Sequence, residues 1–261
     1  MLSVNYSLNC VTFDPKGKIL QIEYAKEAVK QGSTSLGLKS DNFVVSIGIA
    51  YLNQQFYSQA TLLVLVSLKK SPHDLASHQE KVFDIDDHMG IAIAGLTADA
   101  RYLCKFMRSE CLNYWYTHDS HHPTERLINK IAKKSQIKTN HPAKRPFGVG
   151  LLVGSVDETG THLFETCPSG NYYEYIAMAI GSRNQSAKTY LEKNYQSFSR
   201  LGWEELAKHG LRALKASAQE TELSEHNVSV GIVGKDQKFR LLNNDELRSY
   251  LAEISDSMEI A

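Results

Sequence analysis

The residues with the clearest catalytic potential are Gly32-Ser33-Thr34, at the start of a strand-like run. If the chain were cleaved before Ser33, its hydroxyl could attack a peptide bond while the freed amine served as the base. Lys69 or Lys70 could supply a nearby ammonium. A Gly-Ser pair is also a common transition from a loop to a strand, so the residues alone leave both a processed Ser33 and a non-catalytic chain open.

A second group of residues that could do chemistry is His118-Asp119-Ser120-His121-His122. Imidazole and carboxylate groups can bind a transition metal. No further ligand follows at a recognised spacing, so the pattern favours a solvated loop and we predict no metal. The pair Gly148-Val-Gly150 lacks the third glycine and the helix of a dinucleotide-binding motif, and we predict no cofactor.

Length and charge narrow the class of protein. The chain has 261 residues, of which 42% are hydrophobic, and no linker-like stretch divides it, so we expect one domain over residues 1–261. Its 29 acidic and 29 basic residues cancel. A chain without an excess of basic residues is a poor partner for nucleic acid or an anionic membrane, and we predict neither partner.

The cysteines and the first residues bear on the compartment. Cys104 and Cys111 fall on one face of a predicted helix, and the chain has no C-x-x-C pair, which fits a reducing compartment. The sequence Met1-Leu-Ser-Val-Asn lacks the features of a signal peptide, so we expect the cytoplasm and nucleus. Residues 43–68 carry no charge, but the amides of residues 53–55 argue against a membrane span.

Hydrophobic periodicity predicts pairs of strands followed by pairs of helices, after a turn at residues 15–17 and a short helix from Gln21. Because the strands are apolar on both faces, we predict an α+β fold of two stacked sheets covered by helices on each side. The predicted strands are residues 33–39, one within 43–68, 91–94, 147–156, 162–167, 175–180, 228–233 and 239–242. The predicted helices begin at Thr97, near Pro123, after a capping box at residues 182–185, at Trp203 and after a cap at Asn244.

Residues 6–29, which contain that turn and helix, resemble the N-terminal signature of proteasome alpha subunits. Other stretches resemble the same family in the same order, most closely its type-1 members, which take the sixth position of the alpha ring. One stretch alone would be weak support, whereas the ordered set is specific. The stretches are residues 27–33, 90–101, 145–152, 166–169, 186–191, 209–214 and 227–235.

The resemblance implies a four-layer αββα sandwich of the N-terminal nucleophile hydrolase type, with an additional N-terminal helix. It also implies a non-catalytic subunit of the 20S proteasome core, in an alpha ring that covers the beta subunits. Such a ring controls substrate access and docks a regulatory ATPase or other activators in ubiquitin-dependent degradation. Cleavage before Ser33 would remove the leader that carries the resemblance. We therefore favour the non-catalytic interpretation, with a peptidase processed to Ser33 as the alternative.

By the same resemblance, residues 1–31 form the gate tail and the N-terminal helix. Tyr6, Pro15 and Tyr24 match positions that brace the open gate, where a phenol buries apolar area and a proline fixes the turn. Ser7 replaces the aspartate that usually follows the first tyrosine, which removes a charge from the gate cluster. Without the resemblance, both tyrosines would be interpreted as half-buried packing residues.

Lys81, Gly95 and Leu96 match positions that line the inter-subunit pocket for the C-terminus of an activator. These three residues are called the activator pocket below. An ammonium can pair with a terminal carboxylate, and glycine allows close backbone approach. From the residues alone, Lys81 would be a solvated surface lysine and Gly95 the end of a strand.

Residues 46–64 interrupt the match to the family and are predicted to be an atypical insertion. Two β-prone segments, residues 43–49 and 62–68, compete for the second strand. We predict residues 43–49, because a short turn costs less closure entropy than a loop of about twenty residues. Residues 50–60 would then bulge outward with Tyr51, Phe56 and Tyr57 exposed. A splice variant or a gene-model error would account for such a segment.

Overall fold

The computed structural model of this chain describes residues 10–40, 62–69, 79–218, 223–235 and 237–259. The elements in these ranges are, in chain order, α1 (Leu20–Gln31), β1 (Ser35–Lys39), β2 (Leu62–Leu68), β3 (Val82–Asp86), β4 (Met89–Gly95), α2 (Thr97–His118), α3 (Thr124–Thr139), β5 (Val149–Asp157), β6 (Gly160–Thr166), β7 (Tyr172–Glu174), β8 (Ala177–Ile180), α4 (Asn184–Phe198), α5 (Trp203–Ala218), β9 (Val228–Gly234), β10 (Gln237–Leu241) and α6 (Asn244–Glu259). The strands form two sheets of five, ordered β10-β9-β2-β1-β8 and β3-β4-β5-β6-β7.

Three apolar layers hold the sheets and helices together, because successive side chains of a strand point to opposite faces. The middle layer lies between the two sheets and includes Leu65 and Leu152. Helices α4, α5 and α6 cover the outer face of the first sheet, and the fully buried Leu211 belongs to that layer. Helices α2 and α3 cover the second sheet through side chains such as Met107 and Ile128. The predicted αββα sandwich is therefore confirmed.

The prediction that residues 43–49 form the second strand is wrong. Leu62–Leu68 pairs with β1 in the register Ser35↔Ser67 to Lys39↔Leu63, and it also pairs with β9 along its whole length. It is thus a central strand, and residues 63–66 are fully buried, alternately against the other sheet and against the helices.

The free energy gained by burying the apolar side chains of residues 63–66 outweighs the entropy cost of closing the longer loop. A loop of about twenty residues costs only about 1.7 kcal/mol more to close than a three-residue turn. Fully burying a single Leu or Val side chain contributes about 1.5–3 kcal/mol. The competing segment alternates Phe43, Val45 and Ile47 with Val44, Ser46 and Gly48, so one of its faces is poorly suited to a buried layer.

The predicted insertion also needs a new boundary. Residues 62–64 belong to β2, so they are part of the sheet and not of an inserted segment. Residues 46–61, with Tyr51, Phe56 and Tyr57, lie outside the described residues. In the part of the chain that is described, no helix is long and apolar enough to cross a membrane.

Two further differences from the predicted elements have local causes. Strands β3 and β7 were not predicted, because Asp84 and Asp86 interrupt the apolar pattern of β3 and β7 is very short. The capping box at residues 182–185 does not form, since Arg183 occupies the N-cap of α4 at a φ of 51° without a side-chain cap. Ser182 instead donates its backbone N–H to the Gly32 carbonyl at 2.7 Å, which ties the start of α4 to the end of α1.

The four cysteines are all free thiols, and three of them are buried. Cys104 and Cys111 lie on the inner face of α2, as the helical spacing predicts. Burial raises the pKa of Cys104 to about 11 and that of Cys111 to about 12. Both side chains therefore stay protonated at neutral pH and act as small apolar packing groups.

Candidate functional site

Helix α1 has the composition of a helix with one face on the protein and one in solvent. Ala25 is buried and Val29 packs into the layer between the sheets. On the outer side, Lys26 pairs with Glu23 at 2.9 Å and Lys30 pairs with Glu27 at 3.1 Å, each one turn apart. Such exposed pairs add only a few tenths of a kcal/mol each, so packing of the inner face positions this helix.

The end of α1 lies in direct contact with the backbone of β4. A Cβ atom on Gly32 would be 2.2 Å from the Gly95 nitrogen. Gly95 itself has a φ of 111°, and a Cβ there would be 2.3 Å from the Gly148 carbonyl oxygen. Only glycine satisfies both the left-handed φ and this approach. Gly32, Gly95 and Gly148 therefore bring three backbone segments together with no side chain between them.

An ion pair holds the third of those segments in place. Arg145 binds Asp99 through both carboxylate oxygens, at 2.7 and 2.8 Å, and the Gly148 N–H donates to Asp99 at 2.9 Å. Burial alone would raise the pKa of Asp99, but the hydrogen bonds from Arg145 and Gly148 outweigh it and lower that pKa. Asp99 thus stays ionised and fixes the loop that contacts Gly95.

Lys81 lies close to the segment that follows Gly95, at the start of α2. The Ile93 N–H donates to the Lys81 carbonyl at 2.9 Å, which aligns Lys81 with the end of β4. Its ammonium donates to the Thr97 hydroxyl at 3.1 Å and is buried, with 5% of the residue exposed. Burial lowers the pKa of Lys81. The interpretation of Lys81 as a solvated surface lysine is therefore wrong.

The fold brings together all three residues predicted for the activator pocket. Leu96 follows Gly95 directly and is half exposed, at 49%, while Lys81 lies immediately before the neighbouring strand β3. Sequence reasoning missed three residues that shape this region, namely Thr97, Asp99 and Arg145. Each lies in a stretch that carries the family resemblance, which was the available signal.

The chain before α1 forms the predicted tight turn. The Gly17 N–H donates to the Asp14 carbonyl at 2.9 Å, with Gly17 at a φ of 76°. The Asp14 carboxylate also accepts the backbone N–H groups of Lys16 and Lys18, at 3.0 and 2.7 Å. Pro15 therefore lies inside a turn that is closed by both backbone and side-chain bonds.

Several large apolar groups near this turn are exposed. Val11, Phe13 and Tyr24 have 46%, 62% and 53% of their surface accessible. Tyr6 and Ser7, the other residues predicted for the gate, lie outside the described residues. An exposed apolar group of this kind is available for contact with another chain.

Ser33 lacks the surroundings of a nucleophile in the part of the chain described. Its Oγ is buried and has no hydrogen-bond partner. Lys69 follows β2, and its backbone N–H bonds the Asn227 carbonyl at 2.6 Å, whereas Lys70 lies outside the described residues. Without a base in contact, a serine hydroxyl is a weak nucleophile. The continuous segment from α1 through Gly32 also covers this position.

A possible metal-binding group lies elsewhere in the fold. Asp86, His88 and His121 place one ligand atom each within 4.8 Å of one another, and no other group of three or more such residues occurs among those described. The prediction of no metal rested on a lack of further ligands near residues 118–122. The fold supplies two further ligands, Asp86 and His88, from the end of β3 and the β3–β4 turn.

Comparison with known proteins identifies the class first. Residues 57–233 match the family described as proteasome subunit, which defines this two-sheet fold as that of a proteasome subunit. Residues 6–28 match the N-terminal signature of A-type proteasome subunits, which covers the turn and most of α1. The chain belongs to the proteasome alpha subunits, and it is a non-catalytic structural component of the 20S core that assembles with other proteasome subunits.

Individual relatives agree with this assignment. The chain is 48% identical to the alpha type-1 proteasome subunit of Dictyostelium discoideum, over 94% of this chain and 92% of that protein. It is 40% identical to the alpha type-1 proteasome subunit of Drosophila melanogaster, over 97% of this chain and 85% of that protein. It is also 40% identical to a probable alpha type-6 proteasome subunit of Schizosaccharomyces pombe, over 98% and 88%.

Proposed function

We propose that this subunit docks an activator through the activator pocket and helps to gate substrate access to the 20S core. The observation that carries the docking proposal is the burial of the Lys81 ammonium without a charged partner among the described residues. Its ammonium is buried, has the Thr97 hydroxyl as a partner, and forms no salt bridge with any described residue. An ammonium has three donors, so two remain for an incoming acceptor.

A terminal carboxylate is the ligand that this environment favours. Burial lowers the pKa of Lys81, which means that the surroundings disfavour its charge until an anion compensates for it. Leu96, one residue before the Thr97 that binds the Lys81 ammonium, offers half-exposed apolar surface for the side chains of an incoming tail. In a ring, the adjacent subunit would complete the other wall of the pocket.

Replacing Lys81 with methionine tests the docking proposal. Methionine keeps the length of the side chain but removes the charge. In particles that carry the variant, we expect the affinity for a peptide with an activator C-terminus to fall by about 1.5–3 kcal/mol, or roughly 10- to 150-fold. Fluorescence anisotropy with the labelled peptide measures this change. Lys105→Met is the matched control, since Lys105 is an exposed lysine on α2.

A second peptide separates the carboxylate from the rest of the tail. Amidation of the peptide terminus should weaken binding to the unaltered particle by a similar factor, with no further loss in the Lys81→Met particle. Equal affinity of the free-acid peptide for both particles would contradict the assignment. So would a loss on amidation that persists unchanged in the variant.

The gate proposal rests on Tyr6, Ser7, Pro15 and Tyr24 within residues 1–31. Tyr24→Ala should lower activator-stimulated hydrolysis of a fluorogenic peptide by roughly two- to tenfold, because an aromatic contact that the exposed Tyr24 ring would make with a neighbouring chain contributes about 0.5–1.5 kcal/mol. Tyr116→Ala is the control, since Tyr116 is 91% exposed on α2. A Tyr24 variant with unchanged stimulation and unchanged basal activity would argue against a gate contact.

The remaining parts of the proposal follow from membership of the family. The partners would be neighbouring alpha and beta subunits of the ring stack and a regulatory ATPase or other activators. The setting would be ubiquitin-dependent degradation in the cytoplasm and nucleus, at the sixth position of the alpha ring. We propose residues 1–261 as one domain, with an inserted segment that ends before β2.

A further inference from the structure

We propose that Asp86, His88 and His121 form a binding site for a divalent transition metal, with Zn²⁺ as the ion that fits best. The three residues come from different parts of the fold. Asp86 ends β3, His88 lies in the turn to β4, and His121 lies in the connection between α2 and α3. A bound ion would therefore join the β3–β4 turn to that connection.

The distances agree with a tetrahedral ion. Asp86 Oδ2 lies 3.2 Å from His88 Nδ1 and 3.7 Å from His121 Nδ1. Zn–N and Zn–O bonds of about 2.0–2.1 Å at tetrahedral angles place ligand atoms about 3.3–3.4 Å apart. The two histidine nitrogens lie within 4.8 Å of each other, and the His121 side chain is 45% exposed.

The orientation of His88 points to a cation between these groups. His88 is buried, and its Nε2 lies 3.2 Å from the His122 carbonyl oxygen. A carbonyl only accepts, so Nε2 carries a proton, and Nδ1 is the ring atom that faces Asp86. His88 Nδ1 has no hydrogen-bond partner among the described residues, although it lies 3.2 Å from the carboxylate. A metal ion between His88 Nδ1 and the carboxylate would bind both atoms.

The surroundings resemble those of a metal ligand set. The His122 carbonyl fixes the tautomer of His88, and the Asp87 N–H donates to Asp86 Oδ1 at 2.8 Å, which leaves Oδ2 for the ion. Such outer partners orient the ligands of metal sites. Two imidazoles and one carboxylate suit zinc better than magnesium or calcium.

A fourth position would remain open. His88 and His121 line a cavity of about 830 Å³ whose other walls include Trp115, Asp157 and Lys238. An ion held by three protein ligands keeps one position for water or for a donor from another molecule. The site thus has room for an external histidine or carboxylate on the metal.

The first experiment measures Zn²⁺ binding to the full-length chain, purified with an affinity tag that contains no histidine. Isothermal titration calorimetry should give one site, and His121→Ala and Asp86→Asn should each weaken it by at least about 10-fold. His121 is exposed, so its variant should keep the far-ultraviolet circular dichroism of the parent chain. His118→Ala is the control, because His118 is in the same segment but outside the cluster.

Cobalt substitution identifies the ligands. Co²⁺ in this site should show the intense ligand-field bands of a tetrahedral nitrogen and oxygen set, without a thiolate-to-cobalt charge-transfer band. A charge-transfer band would overturn the proposal, since it would place the ion on a cysteine. The proposal would also be overturned by a chain that binds no Zn²⁺, or by equal affinities of the parent and His121→Ala chains.

Discussion

Gly32→Ala is expected to destabilise the chain by about 3 kcal/mol or more. The new Cβ would lie 2.2 Å from the Gly95 nitrogen and 2.9 Å from the Ala94 carbonyl carbon. Both are backbone atoms of β4, which is bonded to β3 and β5 on either side, so neither can move aside as a flexible side chain could. Helix α1 must therefore lift away from the end of the sandwich.

Thermal unfolding of the purified chain measures this effect. A loss of about 3 kcal/mol corresponds to a decrease in Tm of about 6–12 °C for a chain of this size. Gly202→Ala is the matched control, because a Cβ at Gly202 would have no atom within 4 Å. The control should leave Tm nearly unchanged. Equal Tm values for the two variants would show that the contact between Gly32 and Gly95 is not tight.

Asp99→Ala has the second largest expected effect, a loss of about 2–3 kcal/mol. The change leaves the Gly148 N–H without its acceptor and Arg145 without its carboxylate. The arginine side chain is 62% exposed, so water compensates for most of its lost charge pairing. Arg145→Ala should therefore cost less than about 1 kcal/mol, because Asp99 still accepts from Gly148.

Lowering the pH should remove the stabilisation that Asp99 provides. The folded pKa of Asp99 is lowered, so its stabilisation is complete above its unfolded pKa of about 3.9 and is lost as the pH falls through the folded value. The free energies of unfolding that urea titration gives for the parent and Asp99→Asn chains should differ at pH 7. They should converge as the pH falls through the folded pKa of Asp99. A difference in the free energy of unfolding that is the same at pH 7 and in the acidic range would contradict the role given to the ionised carboxylate.

Local patterns in the sequence predicted the elements that are long and periodic. Helix α5 spans Trp203–Ala218 as the spacing of Leu206, Gly210 and Leu214 indicates, and the turn at Pro15 has the expected form. The prediction that residues 43–49 form the second strand was wrong because it compared only the entropy costs of closing the two possible connections. A window centred on residues 43–49 contains no sign that β1 and β9 both pair with Leu62–Leu68.

The chemistry of the sites shows the same limit. Lys81 could be assigned to a pocket only by resemblance, because its burial depends on α2 packing beside β3 and β4. Asp99 and Arg145, or His88 and His121, are far apart in the sequence and meet only in the folded chain. No spacing rule along the chain could have joined them.

The pairing of Lys39 with Leu63 also defines a permissive site for protein engineering. Paired strands lie about 4.8 Å apart, and antiparallel neighbours can be joined by as few as two residues. The connection between β1 and β2 therefore begins and ends at almost the same place, and its length is geometrically independent of the sheet. We therefore expect a reporter domain inserted at this point to leave the register of both strands unchanged.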